Sequence, residues 1–220
     1  MTLPYRDPAP ITTTTGPDAP VTATATAGST DVAGPATPTD RLLLGALFVA
    51  PILMLAADTL YAARGWDDGG AGVVHVLAAV AYGLAVLCVA GWLPRASVLR
   101  AGLILTAVAG AVGNAAYGFE AIHQSFGDTP LVDRSGAASV IKPLGLLFPL
   151  SLLLVAIAAY YLGRRLSAGL VLISAVLWPV AHIGNFKALA VIVNAILVVA
   201  LGTLAWSGAP RPQHPESSTP

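Results

Sequence analysis

Glu120 and His123 lie three residues apart, so on a helix they are surface neighbours. A carboxylate and an imidazole placed in this way can hold a metal ion or pass a proton. Asn114 and Tyr117 precede them at the same interval. His75 and His182 also stand in apolar surroundings, and Asp58 lies well inside an apolar run. Ionisable side chains at such places mark substrate sites, proton relays or metal sites when they lie deep in a membrane.

Three kinds of chemistry fit these residues. His75, Glu120, His123 and His182 form a candidate metal set, because imidazole and carboxylate suit transition metals. Two of the histidines can instead serve as axial ligands to a haem iron if their helices face each other. Asp58, Tyr117, Glu120 and Asn185 are candidate walls of a site for a small ligand. Glu120-Ala121-Ile122-His123 matches the Glu-x-x-His element of bundle di-iron sites. Those sites use the element twice, and it occurs once here, so that family is not carried over. No HExxH or CxxC pattern is present, and Ser125, Ser135 and Ser139 lie outside any GxSxG motif. No reaction type follows, and whether the protein is an enzyme stays open.

The elements that position these residues are read from hydropathy. The 220 residues are 56% hydrophobic and 10% charged, with a mean hydropathy of +0.77. A soluble domain carries about 25% charged residues, so the chain belongs in a bilayer. The net charge of zero gives no basic face for nucleic acid. Cys88, the one cysteine, sits mid-run as a small packing residue. Six apolar runs predict an all-α, six-span bundle without a soluble domain: 42–63, 73–93, 98–122, 143–162, 166–182 and 187–206. Asp40 is the expected N-cap of the first. In the third, Gly102, Thr106, Gly110, Asn114 and Gly118 recur every fourth residue. This stripe of small residues lets helices approach closely, and it predicts a central third helix touching more than one neighbour.

Residues 1–40 are rich in Thr, Pro and Ala and are expected to be a disordered cytoplasmic tail, without the basic start and apolar core of a signal peptide. Residues 207–220 are expected to be a short polar tail. With six spans, the side holding both tails carries seven arginines: Arg6, Arg41, Arg95, Arg100, Arg164, Arg165 and Arg211. The other side carries four basic residues: Arg64, Arg134, Lys142 and Lys187. The excess predicts cytoplasmic termini in a plasma membrane. The bias to Arg over Lys, nine to two, with abundant Ala, Gly, Val and Pro, resembles the product of a GC-rich bacterial genome.

This orientation puts Asp58, His75, Glu120, His123, His182 and Asn185 on one outer side. The leading expectation is an outward-facing His/carboxylate pocket that binds a small ligand, a metal or haem. The alternatives are an accessory bundle for a membrane partner or a homo-oligomer, and a small proton- or ion-coupled transporter. Transport requires a polar track running inward past Asn114. In the accessory reading the polar residues have ordinary partners: Asp58 with Arg64 or Lys187, His75 with Tyr82, and His182 with a backbone carbonyl.

Overall fold

The computed structural model describes residues 36–208. Most of the two expected tails, 1–35 and 209–220, lies outside the described residues. Among those described there is no strand, and six helices are long and apolar enough to cross a membrane. They are α1 (Pro38–Arg64), α2 (Gly69–Gly91), α3 (Val98–Gln124), α4 (Ile141–Tyr161), α5 (Arg165–Ile183) and α6 (Lys187–Trp206).

Local chemistry sets the ends of these helices. α1 begins one turn earlier than its apolar run because Thr37-Pro38-Thr39-Asp40 is a capping box. The Thr37 hydroxyl accepts the Asp40 amide at 3.2 Å, and the Asp40 carboxylate accepts the Thr37 amide at 2.9 Å. Thr37 is therefore the N-cap, and Asp40 is its reciprocal partner rather than the cap itself. Asp68 caps α2 through the Ala71 amide at 2.7 Å, and Ser97 caps α3. α5 stops where Asn185 takes a left-handed conformation, φ 56°, which its short polar side chain tolerates.

The helices form a closed ring. Each packs on its neighbours in sequence, and α6 closes against α1. α3 therefore sits between α2 and α4 and is not the hub. The more enclosed helix is α2, with 50% of its apolar window buried against 33% for α3. The reason lies in the stripe. Steps of four residues advance about 40° around a helix, so the row turns from one neighbour to the next. Gly110 and Gly113 face the α4 backbone at Leu144, Leu147 and Phe148. Gly118 faces α2, where an added Cβ would stand 2.8 Å from the Gly72 carbonyl oxygen. The stripe thus does meet two helices, as its spacing predicts.

The ring interior is filled by Leu47, Met54, Tyr82, Leu103, Phe148, Leu152 and Leu197, all fully buried. The apolar residues outside, such as Leu77, Val80, Leu105 and Val176, are exposed, as a lipid-facing surface requires.

A Cβ on Gly113 would collide with the Leu144 carbonyl, whereas one on Gly45 meets nothing within 4 Å. Gly113→Ala is expected to lower stability by about 1–3 kcal/mol, as overpacking does, and Gly45→Ala to leave it unchanged. Thermal unfolding of both variants in detergent checks this; equal melting temperatures would refute the close α3–α4 approach.

Candidate functional site

The antiparallel ring brings one end of every helix together. At that end Asp58 lies about 9 Å inside the α1 terminus, His75 about 9 Å inside α2, and Asn194 about 10 Å inside α6, at ~1.5 Å per residue. Asn114 is deeper, about 15 Å from the end of α3. His182 sits in the last turn of α5. The residues close to the ring interior are exposed by only 1% (Asp58), 4% (His75), 0% (Asn114) and 0% (Asn194).

Asp58 joins three helices. Its Oδ2 accepts the Asn194 amide nitrogen at 2.6 Å and lies 3.2 Å from His182 Nε2. The imidazole contact is at ion-pair distance but is not aligned as a hydrogen bond. The other imidazole nitrogen, Nδ1, lies 3.0 Å from the Trp178 carbonyl oxygen. A carbonyl can only accept, so Nδ1 carries a proton.

His75 Nε2 meets Asn114 Oδ1 at 3.0 Å, linking α2 to α3. This replaces the expected bond between His75 and Tyr82. Arg64, an expected partner for Asp58, pairs with Asp68 at 3.8 Å. Several buried polar atoms here have no partner among the described residues: Asp58 Oδ1, His75 Nδ1, Asn114 Nδ2, Asn194 Oδ1, and the indole nitrogens of Trp66 and Trp178. Buried polar atoms are nearly always bonded to protein, water or ligand; Tyr82 Oη, Glu120 Oε2 and His123 Nε2 are unpartnered as well.

Aromatic rings form an unbroken series of pairwise contacts. From α2 it passes Tyr82, Phe148, Trp178, His182, Trp66 and Tyr61 and returns to α2 at His75. Neighbouring centroids are 4.0–5.8 Å apart, the shortest being the Trp178–His182 stack. Asp58 lies one turn from Tyr61 and in contact with His182.

Glu120 and His123 belong to a second group. Glu120 Oε1 accepts the Leu131 amide at 2.7 Å and Gln124 Nε2 at 2.9 Å. His123 Nδ1 lies 3.4 Å from Asp128. Tyr117 lays its ring against Gly145 on α4. Together these contacts hold the α3–α4 connection, residues 125–140, against the end of α3. The helix geometry explains the split. Each three-residue step falls back about 60° around the helix. From Asn114 through Tyr117 and Glu120, the row reaches the opposite face by His123. Asn185 is exposed in the α5–α6 turn, away from the buried cluster's hydrogen bonds.

Of the expected site residues, Asp58, His75 and His182 therefore come together, while Tyr117, Glu120 and His123 hold the connection. Asn114 and Asn194 complete the first group. Their signal in sequence is an amide placed mid-span, costly in hydrocarbon unless bonded. Among the described residues no three His, Cys, Asp or Glu side chains are grouped closely enough to hold a metal ion. His75 packs on Tyr61 and His182 on Trp66, and Tyr61 and Trp66 pack on each other.

Toward the other end of the ring the polarity stops. Met54 lies one turn inward of Asp58, and Leu197 three residues inward of Asn194, both fully buried. The buried hydroxyls beyond are bonded within the bundle: Thr106 to the Gly102 carbonyl at 2.9 Å, Ser151 to the Phe148 carbonyl at 2.6 Å, and Ser167 on α5 to Thr203 on α6 at 2.9 Å.

The chain is a multi-pass helical membrane protein with a buried carboxylate–imidazole–amide cluster at one end. Comparison with protein-family models, curated proteins and solved structures returns no match.

Glu120→Leu removes the acceptor for Leu131. Hydrogen–deuterium exchange at the Leu131 amide is then expected to quicken by about tenfold or more, since a bond to a charged group contributes ~1.5–3 kcal/mol. Unchanged exchange would mean that the connection is held by other contacts.

Proposed function

We propose that this protein binds a small polar ligand in the cluster of Asp58, His75, Asn114, His182 and Asn194. The observation carrying this reading is the set of unpartnered donors and acceptors that five helices bury there. A purely structural cluster gains by pairing its polar atoms completely, because each unpaired one costs about 1–3 kcal/mol. A ligand with both donors and acceptors would pair them. The apolar interior beyond Met54 and Leu197 favours entry and exit at the same end over passage through the ring.

Access is proposed to be from outside a bacterial plasma membrane, with both tails cytoplasmic. Arg41, Arg95, Arg100, Arg164 and Arg165 lie at the ring end opposite the cluster, where the excess of basic residues belongs. Reporters fused to each tail check this: active cytoplasmic reporters at both ends are expected, and an external signal from either would overturn the orientation.

The binding reading separates from a structural one by substitution with apolar residues. The triple variant Asp58→Leu, His182→Leu, Asn194→Leu is expected to fold with stability equal to or above that of wild type, since well-packed apolar residues often replace buried ion pairs without loss. It is also expected to lose the rise in melting temperature that a screen of small polar compounds gives the wild type. A loss of stability beyond the ~0.6–2 kcal/mol of each interhelical bond removed, or the same compound response in both proteins, would overturn the reading.

A further inference from the structure

We infer that the outer groove between α4 and α5 seats one anionic phospholipid, with an acyl chain along the groove and the phosphate on Arg165. The groove lies at the ring end opposite the buried cluster and is independent of it. Residue spacing creates it. On α5, Arg165, Ala168, Gly169 and Leu172 stand at i, i+3, i+4 and i+7, which is one face of a helix. Ala156 on α4 and Ala168 are small and buried, and Gly169 has no side chain, so a trough of about 480 Å³ is left between the two helices. Sites for small organic ligands measure about 300–1,000 Å³. From Arg165 to Leu172 the trough runs about 10 Å along α5, at ~1.5 Å per residue.

Its polarity is that of a phospholipid. Inward, the walls are Ile157 and Leu172, both exposed on the outer surface of an apolar helix. In a bilayer that part of the trough meets hydrocarbon. At the mouth the lining changes to Tyr160, Tyr161 and Arg165. The two phenol rings are exposed and meet edge to face, with centroids 6.5 Å apart. Tyrosine at a span end belongs at headgroup level, so the trough joins the acyl layer to the headgroup layer.

Charge at the mouth selects an anion. Arg165 carries five N–H donors in a fork that fits a phosphate through two parallel bonds. Its neighbour Arg164 is engaged elsewhere, donating to the Ser207 carbonyl at 3.1 Å. Among the described residues, this end of the ring holds five arginines and one acid, Asp40, which is bonded to Thr37. The first turn of α5 has no acidic residue and no side-chain cap. Arg165 therefore stands at the positive end of the helix dipole, and a phosphate beside it offsets both charges. Basic clefts between spans are suited to anionic headgroups for this reason.

The test is native mass spectrometry of the purified full chain with phosphatidylglycerol, with phosphatidylcholine of the same chains, and with inorganic phosphate as competitor. One phosphatidylglycerol is expected to bind about tenfold more tightly than phosphatidylcholine, ~1.4 kcal/mol. Arg165→Gln should abolish that preference. Arg95→Gln, which removes an exposed arginine outside the trough at the same end, should leave it. Gly169→Phe fills the trough from a position where an added Cβ meets nothing within 4 Å, and it should weaken both lipids about tenfold at an unchanged melting temperature. If that variant melts lower, Gly169→Leu takes its place with the same expected direction. Equal affinity for the two lipids, or equal loss in both arginine variants, would overturn the phosphate seat on Arg165. Lipid binding unchanged by filling the trough would overturn the seat of the acyl chain. Displacement by inorganic phosphate at equal concentration would overturn the lipid in favour of a free anion. A lipid-free dimer that is lost in the Gly169 variant would overturn it in favour of a second copy of the chain.

Discussion

Asp58 is a carboxylate with 1% exposure in a ring of apolar helices. A charge or polar group at that depth must find its partners within the protein, because hydrocarbon supplies none. Its partners come from α5 and α6, more than a hundred residues later in the chain. The rest of the arrangement follows. α6 must close against α1, α5 must end where His182 reaches the carboxylate, and the antiparallel order must place the ends of α1, α3 and α5 beside the starts of α2, α4 and α6. The close contact of Gly118 with Gly72 lets α3 approach α2, where Asn114 reaches His75, while Gly110 and Gly113 set the approach to α4.

The same end of the ring holds two polar groups with different work. The inner one is buried and ties α1 to α5 and α6, and α2 to α3. The outer one, around Glu120 and His123, is bonded to the α3–α4 connection and gives it a fixed seat. One helix serves both groups because its faces diverge: Asn114 turns to α2 and Tyr117 to α4.

Much of this was legible in the sequence. Six apolar runs give the six helices, and the alternation of spans puts Asp58, His75 and His182 at one end. What hydropathy cannot give is rotation. The row Asn114, Tyr117, Glu120 and His123 looks continuous as a spacing but winds halfway around α3, so the sequence merges two groups that the helix keeps apart. The same drift hides that a stripe of small residues serves two interfaces and does not mark a central helix. Asn194 was visible as an amide in a long apolar run, yet its partner lies 136 residues away, and no local pattern links them. Trp66 and Trp178 lie far apart in the chain, and only the folded structure puts both against His182.

Ring closure between α1 and α6 also bears on how the protein is made. The first helix enters the membrane carrying a carboxylate whose amide partner on α6 has not yet been translated. Among the described helices α6 is the last in the chain, and only its packing against α1 brings Asn194 to the buried acid.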